Sequence, residues 1–223
     1  MTTPARLIAF GDIHGCDAAL AALLEAIEPT ANDRLVFLGD YIDRGPESRQ
    51  VVDRLIGLRE TLGAVTILGN HEEMMLRALR GQSPLRWWTM HGGEETLDSY
   101  GYTGDLTVVP LEHVAFMDSC VAWHEEAGFL FFHANYVADE PLDQQPAEAL
   151  RWQSLYEHLP ARHESGATAI VGHTAQKSGE VLDAGHLKCL DTHCYGGGWL
   201  TAMDVLTGRL WQADRHGGLR LDE

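Results

Sequence analysis

The chain has 223 residues, 45% of them hydrophobic, enough to bury one sizeable core, so residues 1–223 are expected to form a single domain. Its 33 acidic and 16 basic residues give a formal charge of -17. That excludes the basic footprint of a nucleic-acid duplex binder, and a phosphorylated ligand then needs a strong local attraction, such as bound divalent cations supply. No apolar run reaches membrane-spanning length and the N-terminus lacks the apolar core of a signal sequence; the four cysteines form no C-x-x-C pair and are too few for a disulfide scaffold, so the expectation is a reduced, cytoplasmic protein with no membrane partner.

In chain order, the apolar run at 7–10 predicts a strand that ends at Gly11. Residues 18–27, rich in Ala and Leu, predict a helix. A second strand is expected at 35–38, ending at Gly39, and an amphipathic helix at 47–62 with Val51, Val52, Leu55, Ile56 and Leu58 on its buried face. A third strand at 65–68 ends at Gly69, and a third helical stretch covers 72–80. Strands alternating with helices imply βαβ units and a largely parallel sheet. Residues 83–100 read as helical with a break at His91-Gly92-Gly93, and 111–119 as helical. The second half is β-rich, with strand candidates at 121–124, 128–132, 169–171, 186–190, 199–205 and 209–213 and hairpin turns at 125–128 and 204–209. Two such halves predict two packed mixed β-sheets flanked by α-helices, an α/β fold.

All three early strands end alike: in Gly11-Asp12-Ile13-His14-Gly15, in Gly39-Asp40-Tyr41-Ile42-Asp43-Arg44-Gly45, and in Gly69-Asn70-His71-Glu72. Ligands of open α/β sheets bind outside the carboxyl ends of the strands, and a glycine there lets the chain turn sharply and present the next residue at the rim. Asp12, His14, Asp40, Asp43, Arg44, Asn70 and His71 are therefore expected to converge. Oxygen and imidazole donors without thiolate suit divalent first-row metals rather than a structural zinc site. Two metals need a bridging group, for which Asp40 on the central strand is the candidate. His133 and His173 also follow apolar strands directly, so five strand ends agree. His91, His113, His124, His158, His163, His186 and His216 lack that context and read as surface or structural residues, while His193 is intermediate.

These blocks resemble the three signature blocks of the phosphoprotein phosphatase (PPP) family of metallophosphoesterases. That family includes bacterial and phage serine/threonine phosphatases and the symmetrical dinucleoside tetraphosphate hydrolases. His133-Ala134 and Gly172-His173-Thr174 resemble the later histidine blocks of its bacterial branch, and the likeness runs from about Leu7 to Val205. The resemblance implies a calcineurin-like metallophosphoesterase fold and two divalent metal ions, Mn²⁺ before Fe, Zn or Ni. Asp12, His14 and Asp40 would hold the first metal, and Asp40, Asn70, His133 and His173 the second. His71 would be the general acid, oriented by Asp43, and Arg44 would bind the phosphate, with Asn70 and His71 also facing substrate. Two metals roughly 3.5–4 Å apart clamp phosphoryl oxygens and lower the pKa of a bridging water, whose hydroxide attacks in line. A protonated histidine opposite then neutralises the leaving oxygen.

One block departs from the family. A second phosphate-binding arginine is expected in a Trp-x-Arg-like segment, but Trp152-Gln153-Ser154 places Ser154 there; Arg151 and Arg162 lie nearby and out of register. The expected reaction is hydrolysis of phosphate monoesters on a phosphorylated protein, peptide or small molecule, as by a serine/threonine phosphatase. The alternative is hydrolysis of dinucleoside polyphosphates or other nucleotides, by enzymes that tend to be longer. A more distant alternative, resting on Ser154 alone, is a catalytically weak phosphate-binding regulatory module. The segment 83–102, with Trp87 and Trp88, is placed beside the substrate cleft, its tryptophans read as core before base-stacking platforms.

Overall fold

A computed structural model describes residues 4–221. The first half runs β1 (Leu7–Phe10), α1 (Asp17–Ile27), β2 (Arg34–Phe37), α2 (Ser48–Leu62), β3 (Val65–Thr66) and α3 (Asn70–Leu79). A helical connection follows: α4 (Leu85–Trp88), a wide turn through Gly92, α5 (Glu94–Ser99) and α6 (Leu111–Asp118). The second half contains β4 (His124–Glu126), β5 (Phe129–Phe131), α7 (Ala147–Arg151), β6 (Thr168–Val171), β7 (Leu182–Asp183), β8 (Leu187–Cys189), β9 (Asp191–Thr192), β10 (Trp199–Asp204) and β11 (Arg209–Ala213).

Two mixed sheets result. The first has the order β11-β10-β1-β2-β3, with β9 also paired to β10; the second has the order β4-β5-β6-β8-β7. β1, β2 and β3 are parallel, and β10 joins β1 antiparallel, with Ala9 opposite Met203. In the second sheet β5, β6 and β8 are parallel.

The period of two in each strand explains why both of its faces are apolar. Leu7 and Ala9 of β1 point to the same side as Val36 and Leu38 and meet Phe131, Ile170 and Leu190 of the other sheet, forming the interior between the sheets. Ile8 and Phe10 point outward under α1 and α2, beside Leu20, Leu23, Val51 and Leu55. Phe10 stacks on Phe37 with centroids 4.5 Å apart, and truncating either to alanine would cost about 3–5 kcal/mol. The outer face of the second sheet is covered by Tyr136, Leu150 and Leu155. Strands covered on both faces read as short continuous apolar runs, which is how β1 and β2 announce themselves. α2 stops where Gly63 turns left-handed (φ 64°) and gives its N–H back to the Arg59 carbonyl at 3.1 Å.

Several boundaries differ from expectation, each for a reason. β3 is only two residues long: Ile67 still donates to the Phe37 carbonyl of β2 at 2.9 Å, but its other edge pairs with Val121, and Leu68 turns to donate to the Val121 carbonyl at 2.9 Å. α3 starts at Asn70, two residues earlier than predicted, since Glu72 reaches back to accept the Gly69 N–H at 3.1 Å and closes the first turn. β4 lies at His124–Glu126 and not at 121–124, because the Ala127-Gly128 turn, both residues at positive φ, sets the register against β5. α7 and β7 were not expected, being too short to show a period.

Candidate active site

The carboxyl ends of β1, β2, β3, β5 and β6 lie side by side and carry Asp12, Asp40, Asn70, His133 and His173. The loops after β1 and β2 are bonded to each other: the Asp40 carbonyl accepts from the Ile13 and His14 N–H groups at 3.1 and 2.8 Å. The backbone is strained here. Of the eight non-glycine residues with positive φ among the described residues, six are His14, Asp40, Asp43, Arg44, His173 and His193. Each such residue costs on the order of 1–3 kcal/mol, so neighbouring contacts must hold these turns. Close approach matters equally. A Cβ on Gly69 would strike the Asp40 carboxylate, and one on Gly172 the Asp12 carboxylate.

Three imidazoles are set in the same way. His14 Nδ1 lies 2.9 Å from the Ile42 carbonyl, His133 Nδ1 2.9 Å from the Leu38 carbonyl, and His173 Nε2 3.0 Å from the Trp152 carbonyl. A carbonyl only accepts, so each of these nitrogens carries the proton and the other ring nitrogen keeps its lone pair. Those lone pairs face inward: His14 Nε2 is 3.6 Å from Asp40 Oδ2, and His133 Nε2 is 3.3 Å from Asp40 Oδ1. The Asn70 amide oxygen lies 3.0 Å from His133 Nε2 and 3.1 Å from His173 Nδ1. Turned about, its NH₂ donates to the same nitrogens and to Asp40; with a cation bound, the orientation that offers the oxygen would be the one favoured. Burial pulls all three imidazoles below the ordinary histidine value, His173 to about 4, so they stay neutral and free to ligate.

Carboxylates complete the cluster. Two sets of donor atoms lie within 4.8 Å of one another, His14–Asp40–His71 and Asp40–His133–His173, and Asp40 belongs to both. Asp12, expected in the first set, is turned instead toward the His173 N–H, which donates to its two oxygens at 3.1 and 3.0 Å. Burial, Asp191 and Asp40 push the Asp12 carboxyl up; burial, opposed in part by the His193 N–H, leaves Asp191 at about 6. Burial pushes Asp40 up too, but the surrounding imidazoles outweigh it and hold this carboxyl well below the carboxylate range. Buried like charges beside three inward lone pairs need positive charge. Mixed oxygen and nitrogen donors without thiolate fit divalent first-row ions.

His71 is set differently. Its Nδ1 lies 2.6 Å from Asp43 Oδ2 and its Nε2 3.9 Å from Asp40 Oδ2. Burial pulls the imidazolium down, yet Asp40 and Asp43 outweigh it and its pKa ends above the ordinary value. The proton can thus stay on Nε2, as an acid requires. Asp43 is held by Trp88 Nε1, 3.0 and 2.8 Å from its two oxygens, and by Thr96 Oγ1 at 2.7 Å. Sequence reasoning missed Trp88 and Thr96, which lie 45 and 53 residues from Asp43. It also gave Glu72 no role. That fully buried carboxylate accepts the N–H groups of Asp40, Tyr41 and Gly69 at 2.9, 2.8 and 3.1 Å, fastening the Asp40 turn to α3. Burial and the Asp40 charge push it up, to about 8. Its place in the Gly69–Glu72 block was the available signal.

Arg44 makes no salt bridge within its loop. It stacks 4.6 Å from the Tyr195 ring centroid, and its Nη1 donates to His14 Nε2 at 2.9 Å. His14 could give that lone pair to a metal only if the guanidinium released it. Ser154 contacts Tyr156 and Thr174. Neither nearby arginine is free: Arg151 is bound to Glu73 at 2.7 Å, and Arg162 donates to the Gly166 carbonyl. His193 packs on Tyr195 and stays out of the donor sets. His113, His163 and His186 are held by structural partners, among them Asp53, Glu140 and Pro160. Trp88 is core, as expected; Trp87 is 37% exposed and lies against Trp152.

The family model described as calcineurin-like phosphoesterase matches residues 5–193. The chain is 35% identical over 130 residues to a protein of Burkholderia thailandensis named symmetrical bis(5'-nucleosyl)-tetraphosphatase, covering 58% of this chain and 42% of that protein. A Burkholderia pseudomallei protein of the same name is 34% identical over 130 residues, with the same shares of the two chains covered. The chain thus spans less than half the length of these relatives. Among solved structures, one described as a candidate diadenosine tetraphosphatase superposes with a TM-score of 0.71 at 24% identity, covering 96% of both chains. A serine/threonine phosphatase from Saccharomyces cerevisiae does so with a TM-score of 0.65 at 15% identity, covering 100% of this chain and 82% of that one. The structural likenesses speak for the fold, and the matched family model for the class: the chain belongs to the calcineurin-like phosphoesterase family.

Proposed function

We propose that this protein hydrolyses dinucleoside polyphosphates of the tetraphosphate type, and that it does so as a single domain. The observation that carries the catalytic reading is the contrast among four imidazoles. Three are pinned by carbonyls, neutral, with lone pairs aimed inward; His71 is pinned by a carboxylate and keeps its proton. Asp12, His14 and Asp40 would hold one divalent ion, and Asp40, Asn70, His133 and His173 a second, with Mn²⁺ the first choice for assay. When bound, such ions neutralise the phosphoryl oxygens and lower the pKa of water.

The chain's own groups do the rest. Arg44 binds non-bridging oxygens through its planar fork. Asp43, held by Trp88 and Thr96, keeps His71 oriented. His71 gives its Nε2 proton to the leaving oxygen and regains one from solvent. The names of the tetraphosphatase relatives support the substrate class and favour it over the phosphoprotein expected from sequence. Exposed Trp87 beside Trp152 offers a face for a nucleobase. The complete set around His71 speaks against a merely phosphate-binding module.

The test is a side-by-side assay of Mn²⁺-loaded protein on diadenosine tetraphosphate, nucleoside monophosphates, p-nitrophenyl phosphate and phosphoserine peptides. The tetraphosphate is expected to give the highest kcat/KM, with adenosine diphosphate as product. Phosphopeptide turnover above that of the tetraphosphate would return the serine/threonine phosphatase reading.

A further inference from the structure

Next to the metal-ligand cluster, on the Arg44 side, lies a cavity of about 450 Å³, within the size range of small-ligand sites. Arg44, Pro46, Glu47, Tyr195, Arg215 and His216 line it. Among the described residues, neither Arg44 nor Arg215 forms an ion pair, whereas Arg6, Arg34, Arg54 and Arg151 each hold a carboxylate. In a chain of charge -17, two arginines without carboxylates facing one cavity are a local reversal of sign. The carboxylate in the lining, Glu47, accepts the Ala18 N–H at 3.3 Å.

The wall that carries Arg215 is built. Asp214 accepts the N–H groups of His216 and Gly218 at 2.8 and 3.0 Å, and its own N–H returns to the Gly218 carbonyl. Gly217, at φ +88°, packs so closely on the first turn of α1 that a Cβ would meet the Ala18 carbonyl at 3.1 Å. Arg215 Nε donates to His216 Nε2 at 3.2 Å, which leaves its other guanidinium N–H groups for a ligand. Arg215 lies on a turn after the last strand, far in sequence from Ser154, where the family pattern places its second arginine.

We propose that this cavity seats the part of the substrate beyond the scissile bond, a nucleoside diphosphate, and that Arg215 is a specificity-determining residue that binds its phosphates. The inference rests on the reading of the substrate as a nucleotide polyphosphate. Arg215→Ala and Arg215→Lys would be compared with the unaltered Mn²⁺-loaded protein in two measurements. In the first, Arg215→Ala is expected to raise the ratio of KM for diadenosine tetraphosphate to KM for p-nitrophenyl phosphate about tenfold, with Arg215→Lys recovering part of it. In the second, adenosine diphosphate should inhibit p-nitrophenyl phosphate turnover at least about tenfold better than inorganic phosphate, an advantage that Arg215→Ala removes. Ratios within twofold of the unaltered protein in both measurements would overturn the proposal. Failure to cleave diadenosine tetraphosphate at all would sink the substrate reading alone. The adenosine diphosphate competition then decides for or against the cavity.

Discussion

The two ends of the central strands are built on opposite principles. At the amino end, Arg6 donates to both oxygens of Asp33 at 2.9 and 2.7 Å, Thr30 adds its N–H and hydroxyl, and Arg34 meets Glu126 at 3.0 Å across the sheets. Opposite charges are paired, and the Arg6 hydrogen bond leads in holding Asp33 down at about 2. At the carboxyl end, Asp12, Asp40 and Asp191 are buried together, two of them pushed up by that burial, and six residues strain their backbones. One end contributes stability; the other gives it up to create a place for cations and phosphate.

The sharpest way to break this comparison is Asp40→Asn. Asp40 belongs to both donor sets, so both metals should be lost, read by elemental analysis, and turnover should fall by roughly 10³-fold or more. Next comes His71→Ala, which should keep both metals and lose about 10²–10⁴-fold in kcat on alkyl phosphates. The loss should shrink on p-nitrophenyl phosphate and on anhydrides, whose leaving oxygens need less protonation; an equal loss on every substrate would refute the acid role.

A smaller effect is expected from Trp88→Phe, which removes the indole N–H from Asp43. It should lower kcat about tenfold with metal content and KM held. The smallest effects form a matched pair in metal-free protein. Asp33→Asn should cost about 1–2 kcal/mol at neutral pH. Because Asp33 is depressed when folded, its contribution is full above the ordinary carboxyl value of 3.8 and is lost as pH falls through about 2. The variant's stability should therefore fall less than the parent's between pH 4 and 2. Asp12→Asn should act in the opposite direction, raising stability by about 1 kcal/mol while reducing turnover of the metal-loaded protein. Parallel destabilisation by both variants, read by thermal melting, would mean that the two ends are not built differently.

Much of the geometry of the carboxyl end was legible in the chain, because a strand that must end at a tight turn writes the turn and the candidate site residue side by side. Gly11-Asp12, Gly39-Asp40 and Gly69-Asn70 are local, and so are their consequences. His133 and His173 were legible for the same reason. What supports these residues was not. Trp88 reads as an apolar helix residue until α4 places its indole N–H on Asp43. Glu72 reads only as the start of a helix until α3 folds under β2 and brings it to four backbone N–H groups. The preferred substrate shifted too, since the relatives' names favour the nucleotide alternative over the phosphoprotein.

The sequence by itself determined the two-sheet architecture of apolar strands and the residues at five strand ends, since both depend on periodicity and on turns within a few residues. Only the tertiary structure decided which imidazole nitrogen faces inward, that Trp88 and Thr96 hold Asp43, and that Arg215 shares a cavity with Arg44. Those outcomes depend on carbonyls, carboxylates and turns brought together from across the chain, and no local pattern encodes which of them will meet.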